Sequence, residues 1–470
     1  MGYFVARVTG HDKDFTKVEG FLRMEFPNYI ALAIPLFFIL IAVEWVLSYW
    51  KRQESYRLND AVNDLSLGSY SEIIGAFLKT IVFTGYLFIY EYASIFTIQF
   101  EWWWAWVLCF LFYDMQYYWA HRMSHTMNFL WATHIPHHQS EDFNLAVALR
   151  QGAFQGSFFW VFYLPLALVG FPPAMFIACA QLDTIYQFFI HTRGVGKLGP
   201  LEWVMNTPSH HRVHHGQNPK YIDKNHAGVF IIWDRMFGSF QEEEEEPVYG
   251  IVTPLRSWNP LWGTVHYWVQ LGKTAKAAPH LSDKVKLWFM PPAWQPRGMP
   301  ERPPRDEVAA DTFKKFNPVL PAGLNSYIFV QFVVVLGASV AFLEMESTMS
   351  WLVKALFAAY LLFGLACIGG MFEAKRWVLS TELLRVVGTA VLFVALSMTG
   401  YGIGGNQHWI LSALMVAFAA VSVPWLWRHR AVFRYDFGPL PDEAAYPDNG
   451  EHAAPAPVVD EAAVPEVEHP

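Results

Sequence analysis

Apolar stretches about as long as a bilayer is thick recur along the chain, and they constrain its fold more than any other feature. A helix needs roughly 20 mostly apolar residues to cross the hydrocarbon core. Segments of that kind run near Tyr29–Tyr49, Ile73–Phe96 and Trp102–Ala120. A longer one, Phe154–Ile190, is interrupted by Gly170-Phe171-Pro172-Pro173, and Gly with paired Pro breaks helices. It should fold as a helical hairpin, spanning or re-entrant. Four more segments close the series at Tyr327–Leu343, Trp351–Met371, Val378–Met398 and Trp409–Trp427. Between them, His191 to about Gly323 is too charged and Pro-rich to span. The expected fold is all-α and multi-pass: a helical transmembrane bundle with a histidine-rich cap. The expected division is an N-terminal segment (1–27), a membrane-embedded core (28–320), a C-terminal four-helix transmembrane region (321–428) and an acidic, disordered tail (429–470).

Composition agrees with a bilayer. Only 16% of the 470 residues are charged, against about a quarter in an ordinary soluble chain, and 21 tryptophans suit interfacial belts. The net charge of −8 is local, because the tail from Gly438 to Pro470 holds eight acids and no Lys or Arg. The remainder balances at 33 acidic against 33 basic residues, which leaves no basic field for nucleic acid. Cys109, Cys179 and Cys367 lie in apolar runs and form no CxxC pair, so iron–sulfur, zinc-ribbon and disulfide frameworks are excluded. The run Glu242–Glu246 reads as a solvated loop.

Loop charges set an expected orientation. Positive charge falls at Lys51–Arg57, Lys375–Arg376 and Arg428–Arg434, whereas Glu344–Ser350 and Gly402–Gln407 carry none. Alternation through the last four helices places the positive loops, the polar region, the tail and His121 on the cytoplasmic side. The N-terminus conflicts, since it should be outside yet holds Arg7, Lys13, Lys17 and Arg23. Either it lies on the interface or the first helix does not span.

Eleven of the 18 histidines fall between residues 121 and 226. Three groups have metal-ligand spacing: His121 with His125, then His134, His137 and His138, then His211, His214 and His215. Spacings of three and four bring rings to one helix face. Eight imidazoles exceed what one ion accepts, so the count argues for two adjacent ions. Structural zinc usually employs Cys as well, and none is near. Imidazole suits Zn, Cu, Fe and Ni alike, so ligand type does not choose the metal. The other ring nitrogen of a metal-bound histidine needs a partner; Asp114, Glu141, Asp142, Asp183, Asp223 and Asp234 are available. Asp114 stands two turns before His121, and an acid in a membrane helix is functional by default.

The three clusters resemble the HxxxH, HxxHH and HHxxHH boxes of the fatty acid hydroxylase/sterol desaturase superfamily. Within it, Tyr118–His125, His137–Gln151, Gln187–Thr192 and Leu198–Phe240 are most similar to the alkylglycerol monooxygenase family. The resemblance implies a di-iron oxidoreductase that uses O2 to hydroxylate the ether-adjacent carbon of an alkylglycerol lipid. The unstable hemiacetal then falls apart into a fatty aldehyde and a glycerol derivative. It also implies an external reductant, tetrahydrobiopterin in that family, and the chain contains no flavin, haem or ferredoxin module of its own. The implied ligands are His121, His125, His134, His137, His138, His211, His214 and His215, with His191 and His210 added by analogy. His226 stands where the family is expected to carry Tyr, as a ring supporting the site or a surface residue. Asn144, Arg150, Gln151 and Gln187 are candidate polar contacts of a substrate pocket. The alternative is a hydroxylase or desaturase of the same superfamily acting on a sterol, carotenoid or acyl lipid. A different class again is a membrane metal-binding protein without catalysis. Localisation follows the source: inner membrane in a bacterium, endoplasmic reticulum in a eukaryote.

Overall fold

The computed structural model describes residues 28–300, 308, 311–399 and 407–434. The N-terminal segment and nearly all of the acidic tail lie outside the described residues. Among the described residues every regular element is helical, and strand-like pairing is limited to isolated bridges joining Met205 to Phe230 and Gly216 to Tyr249.

Helix α1 (Tyr29–Trp50) opens at Asn28, whose side chain accepts the Ala31 amide at 3.0 Å. Most of its apolar surface is exposed, and Phe37 stacks on Phe188 at 3.9 Å. Its single acid is fully employed: Glu44 accepts from Tyr56 Oη (2.5 Å), the Leu145 amide (2.8 Å) and Thr192 Oγ1. Helix α2 (Leu58–Ala93) begins well before the expected Ile73. Its first turns bury Asn59, Asp60, Asn63 and Asp64, and an apolar criterion misses a helix whose inward face is polar.

Helix α3 (Trp103–Thr126) continues beyond the expected Ala120 and packs against α4 (Asn128–His138). The Phe154–Ile190 stretch is broken at Gly170–Pro172, where the sequence places the interruption. Its first arm is only a series of short turns ending at Val169; its second is α5 (Pro173–Ile190). Gly170 ends the first arm as a left-handed cap at φ +108°, and a Cβ there would lie 1.9 Å from the Phe96 carbonyl oxygen. Helix α6 (Pro208–His214) and helix α7 (Pro260–Ala277) lie in the polar region, α7 capped by the Asn259 side chain on the amides of Leu261 and Trp262. Helices α8 (Ala322–Met345) and α9 (Trp351–Phe372) pack on each other and on α2.

The chain divides into two units, 1–298 with 307–373, and 299–306 with 374–470. In the second, α10 (Arg376–Met398) and α11 (Gln407–Arg428) pack together, and Ser397 Oγ meets Ser412 Oγ at 2.7 Å. Among the described residues, five helical stretches are long and apolar enough to cross a membrane: Tyr29–Trp50, Ala322–Thr348, Trp351–Phe372, Arg376–Met398 and His408–Arg428. A sixth counts if Leu58–Leu78 and Phe83–Ala93, bent by 46°, form one span. The protein is therefore a multi-pass membrane protein. Neither α3 nor α5 is among these stretches; their buried faces share an apolar cluster that includes Ala105, Cys109, Tyr113, Met175 and Cys179.

Candidate metal centre

Four short pieces of chain deliver the clustered histidines. The end of α3 carries His121 and His125, and α4 carries His134, His137 and His138. His191 follows the last residue of α5, while α6 presents His211 and His214 with His215 at its cap. The nitrogens gather into two groups, each lying within 4.8 Å: His121, His125, His134, His138 and His214 in one, His137, His191, His211 and His215 in the other. Every ring is at most 6% exposed.

Helix geometry explains the division. Adjacent side chains diverge by roughly 100° around a helix of 3.6 residues per turn, so His137–His138 and His214–His215 each send one ring to each group. Residues four apart stay together, as His121 with His125, His134 with His138, and His211 with His215. Residues three apart separate, contrary to the expectation that both spacings share a face. The groups abut, with His138 stacked on His215 at 4.4 Å between centroids.

The hydrogen bonds fix which nitrogen is available. Nδ1 of His121, His137, His191 and His214 meets the backbone carbonyl oxygen of His226 (2.8 Å), Arg150 (2.7 Å), Gln187 (2.7 Å) and Lys224 (2.9 Å), respectively. His134 Nδ1 meets Gln155 Oε1 at 2.8 Å. Each oxygen only accepts, so Nδ1 carries the proton and a neutral ring keeps a lone pair on Nε2. Those lone pairs then converge: His121 Nε2 is 3.0 Å from His134 Nε2, and His137 Nε2 is 3.3 Å from His191 Nε2. Nε2 of His125 and of His214 is buried with no protein partner. Burial, reinforced at most of the rings by neighbouring histidines, pushes all nine pKa values down, His137 to about 4 and His214 to about 3. Neutral rings with converging, unpaired lone pairs are costly unless a cation satisfies them, so the donor set fits bound metal. The three cysteines are buried and free, and none belongs to either group.

The acids do not partner the imidazoles as expected. Asp114 accepts from the amides of Val229 (2.6 Å) and Phe230 (3.0 Å) and from Trp233 Nε1 (2.8 Å). Asp234 accepts from the amides of His226 and Ala227, both at 2.8 Å. Together they hold the segment whose His226 carbonyl faces His121. Asp183 accepts from Gln187 Nε2 at 2.5 Å. Glu141 accepts the Phe316 amide at 2.6 Å, and its carboxyl is pushed up to about 7 by burial and the nearby Asp60. Asp142 pairs with Arg57 (3.0 Å) and Lys315 (2.6 Å). Asp223 alone approaches a clustered ring, 3.7 Å from His125 Nδ1. His226 packs beside the first group, 5.0 Å from the His125 ring, with Nε2 on the Asp223 carbonyl. His210 lies outside both groups, edge-on to Phe240.

The candidate pocket residues are also structural. Asn144 donates to the Ser55 carbonyl, Gln151 to the Ala148 carbonyl, and Gln187 accepts from Tyr117 Oη. Arg150 is 1% exposed and donates to the Pro136 carbonyl, Asn63, Asp64 and Gln139. The run Glu242–Glu246 is not simply solvated: Glu243 grips Arg212 through two 2.7 Å bonds and Glu246 pairs with Arg193 at 2.7 Å. Sequence reasoning missed Gln155 and the carbonyl partners altogether, and carbonyls leave no sequence signal.

An all-helical membrane chain with this buried double histidine group falls in the class described by the fatty acid hydroxylase family model, which matches residues 106–239. Alkylglycerol monooxygenase from Homo sapiens is 37% identical over 372 residues, covering 78% of this chain and 83% of the relative. The Xenopus tropicalis enzyme of that name is 35% identical, covering 83% and 86%. The chain belongs to the alkylglycerol monooxygenase family. An ornithine lipid hydroxylase from Rhizobium tropici is 28% identical over 127 residues, 26% of this chain and 38% of its own. No solved structure matches the chain.

Proposed function

We propose that the protein is an O2-dependent monooxygenase that hydroxylates the ether-adjacent carbon of alkylglycerol lipids, with two iron ions held by His121, His125, His134, His138 and His214 and by His137, His191, His211 and His215. The convergence of Nε2 lone pairs in two abutting groups carries this reading. Bound iron would supply the reduction of dioxygen and the attack on an unactivated C–H bond. The chain's own part is to hold and to exclude. The Nδ1 hydrogen bonds orient the rings, and burial of all nine keeps bulk water away from the reacting carbon.

Hydroxylation converts the ether carbon to a hemiacetal, which collapses into a fatty aldehyde and a free glycerol hydroxyl. The reaction takes two electrons and two protons from an external donor, for which the family resemblance supports tetrahydrobiopterin. The distribution of Lys and Arg among the loops supports a cytoplasmic site, where a soluble donor has access. The local likeness to a lipid hydroxylase with a different head group supports a shared catalytic core and says little about substrate choice.

The test is metal analysis of the detergent-purified protein, with an aldehyde assay on alkylglycerol, dioxygen and a reduced pterin. Two irons per chain and fatty aldehyde are expected. Bound iron with turnover of a sterol and no aldehyde would contradict the substrate assignment.

A further inference from the structure

Asp114 on α3 and Asp183 on α5 are both buried, and their side chains lie within hydrogen-bonding reach of each other. The two Oδ1 atoms converge against Gly228, where a Cβ would lie 2.8 Å from that of Asp114 and 2.7 Å from that of Asp183. Asp114 is well supplied with donors, namely the amides of Val229 and Phe230 and the Trp233 indole. Asp183 has Gln187 Nε2 on its Oδ2, but its Oδ1 is buried with no donor of the protein on it.

Two buried carboxyls that share a site cannot both ionise cheaply, and like charges force one to keep its proton. Among the described residues no lysine or arginine pairs with either. The titratable groups around them are Tyr113, Tyr117, Tyr163, Tyr186 and Cys179, none of which becomes a cation. The donors decide which carboxyl is neutral. Three N–H groups aimed at Asp114 favour its charged form. A proton on Asp183 Oδ1 satisfies the orphaned atom and turns a repulsive contact into an O–H donated to Asp114.

Each carboxyl also supports one histidine group. Asp114 holds the 226–230 segment, whose His226 carbonyl accepts from His121 Nδ1. Gln187 is fixed on three sides. Its Nε2 donates to Asp183, its Oε1 accepts from Tyr117 Oη at 2.6 Å, and its carbonyl accepts from His191 Nδ1 at 2.7 Å. A bond from Asp183 to Asp114 therefore ties the support of a ring in the first group to the support of one in the second.

We propose that Asp114 and Asp183 share a single proton, held on Asp183, and act as a positioning pair that locks the carbonyl supports of His121 and His191 to each other. The positioning role rests on the metal-centre reading; the shared proton does not.

Infrared difference spectra of the full-length, metal-free protein at neutral pH, together with metal titration, test the pair. The parent should show the carbonyl stretch of a neutral carboxylic acid, shifted in heavy water, that is missing from Asp183→Asn. An asparagine amide reproduces the neutral carboxyl, donating to Asp114 and accepting from Gln187, so Asp183→Asn should bind iron as the parent does. Asp183→Leu should bind it about tenfold more weakly. Asp114→Asn, which sets an NH2 group against N–H donors, should also weaken it. No acid band lost in Asp183→Asn would mean a fully ionised pair and overturn the proposal. Asp183→Asn binding iron as weakly as Asp183→Leu would overturn it too, as would an Asp114→Asn that binds like the parent. A parent that binds no iron but shows the band removes the metal-centre reading and leaves the shared proton. Bound iron without the band removes the pair alone.

Discussion

His137 and His191 face each other Nε2 to Nε2 at 3.3 Å across 54 residues of sequence, each with Nδ1 committed to a backbone carbonyl. Neither nitrogen carries a proton to offer the other, so the pair is repulsive until a cation takes both lone pairs. His137→Ala should therefore reduce bound metal and abolish turnover while leaving the protein in the membrane. Metal analysis of the purified variant checks this, and full metal content would contradict it.

Gln155 holds His134 by its side chain, whereas the comparable contacts of four other rings are made by backbone. It is therefore the orienting group most open to substitution. Gln155→Leu should lower metal affinity or activity roughly 10- to 100-fold, the usual cost of removing such a partner. Gln155→Glu, which keeps the acceptor, should lose less. Metal titration of both variants decides.

Arg150 and Asp64 are paired at 3.0 Å, and both are essentially inaccessible. Removing one partner of a buried pair costs about 3–5 kcal/mol, because the other charge is left alone. Arg150→Met should accordingly unfold readily in thermal denaturation. The double variant Arg150→Met/Asp64→Leu should recover part of the loss, and equal loss in both would mean the guanidinium acts only through Pro136, Asn63 and Gln139.

The metal-free site should respond to acid in a direction fixed by its histidines. His137 in the folded protein titrates near 4, against an ordinary value of 6.5. Between those values the unfolded chain binds more protons, so stability rises with pH and is lost as pH falls through that window. Glu141, pushed up to about 7, works in the opposite sense between its ordinary 4.5 and 7. Comparison with His137→Asn isolates the ring. The thermal midpoint of the parent should drop more steeply from about pH 7 to about pH 5 than that of the variant. Parallel slopes would mean that His137 is protonated in the fold.

Glu141→Gln should leave metal content unchanged, since Glu141 serves the Phe316 amide and Arg57 and touches no clustered ring. A loss of metal measured in that variant would make it a ligand.

The sequence announced some parts of this architecture and concealed others for physical reasons. Apolar runs marked the last four helices to within a few residues, because a lipid-facing helix must be apolar along its length. The same criterion hid the start of α2, whose Asn59, Asp60, Asn63 and Asp64 are buried and polar. Histidine spacing revealed the boxes but not their partition, which depends on how four chain pieces meet in space. The acids drew attention because carboxylates often orient metal-bound imidazoles. Here carbonyls do that work, and Asp114 and Asp234 act one step away by holding the segment that bears the His226 carbonyl. Arg150 looked like a pocket contact, yet its guanidinium is spent on α2 and α4.

The most direct test of the central claim is the fate of heavy-oxygen-labelled dioxygen. Iron-loaded protein is given an alkylglycerol and a tetrahydropterin, and the aldehyde is trapped at once by reduction to the fatty alcohol before it exchanges with water. Hydroxylation of the ether carbon predicts one labelled oxygen atom in the trapped alcohol and none in the glycerol. An unlabelled alcohol, or label elsewhere along an intact ether lipid, would contradict it.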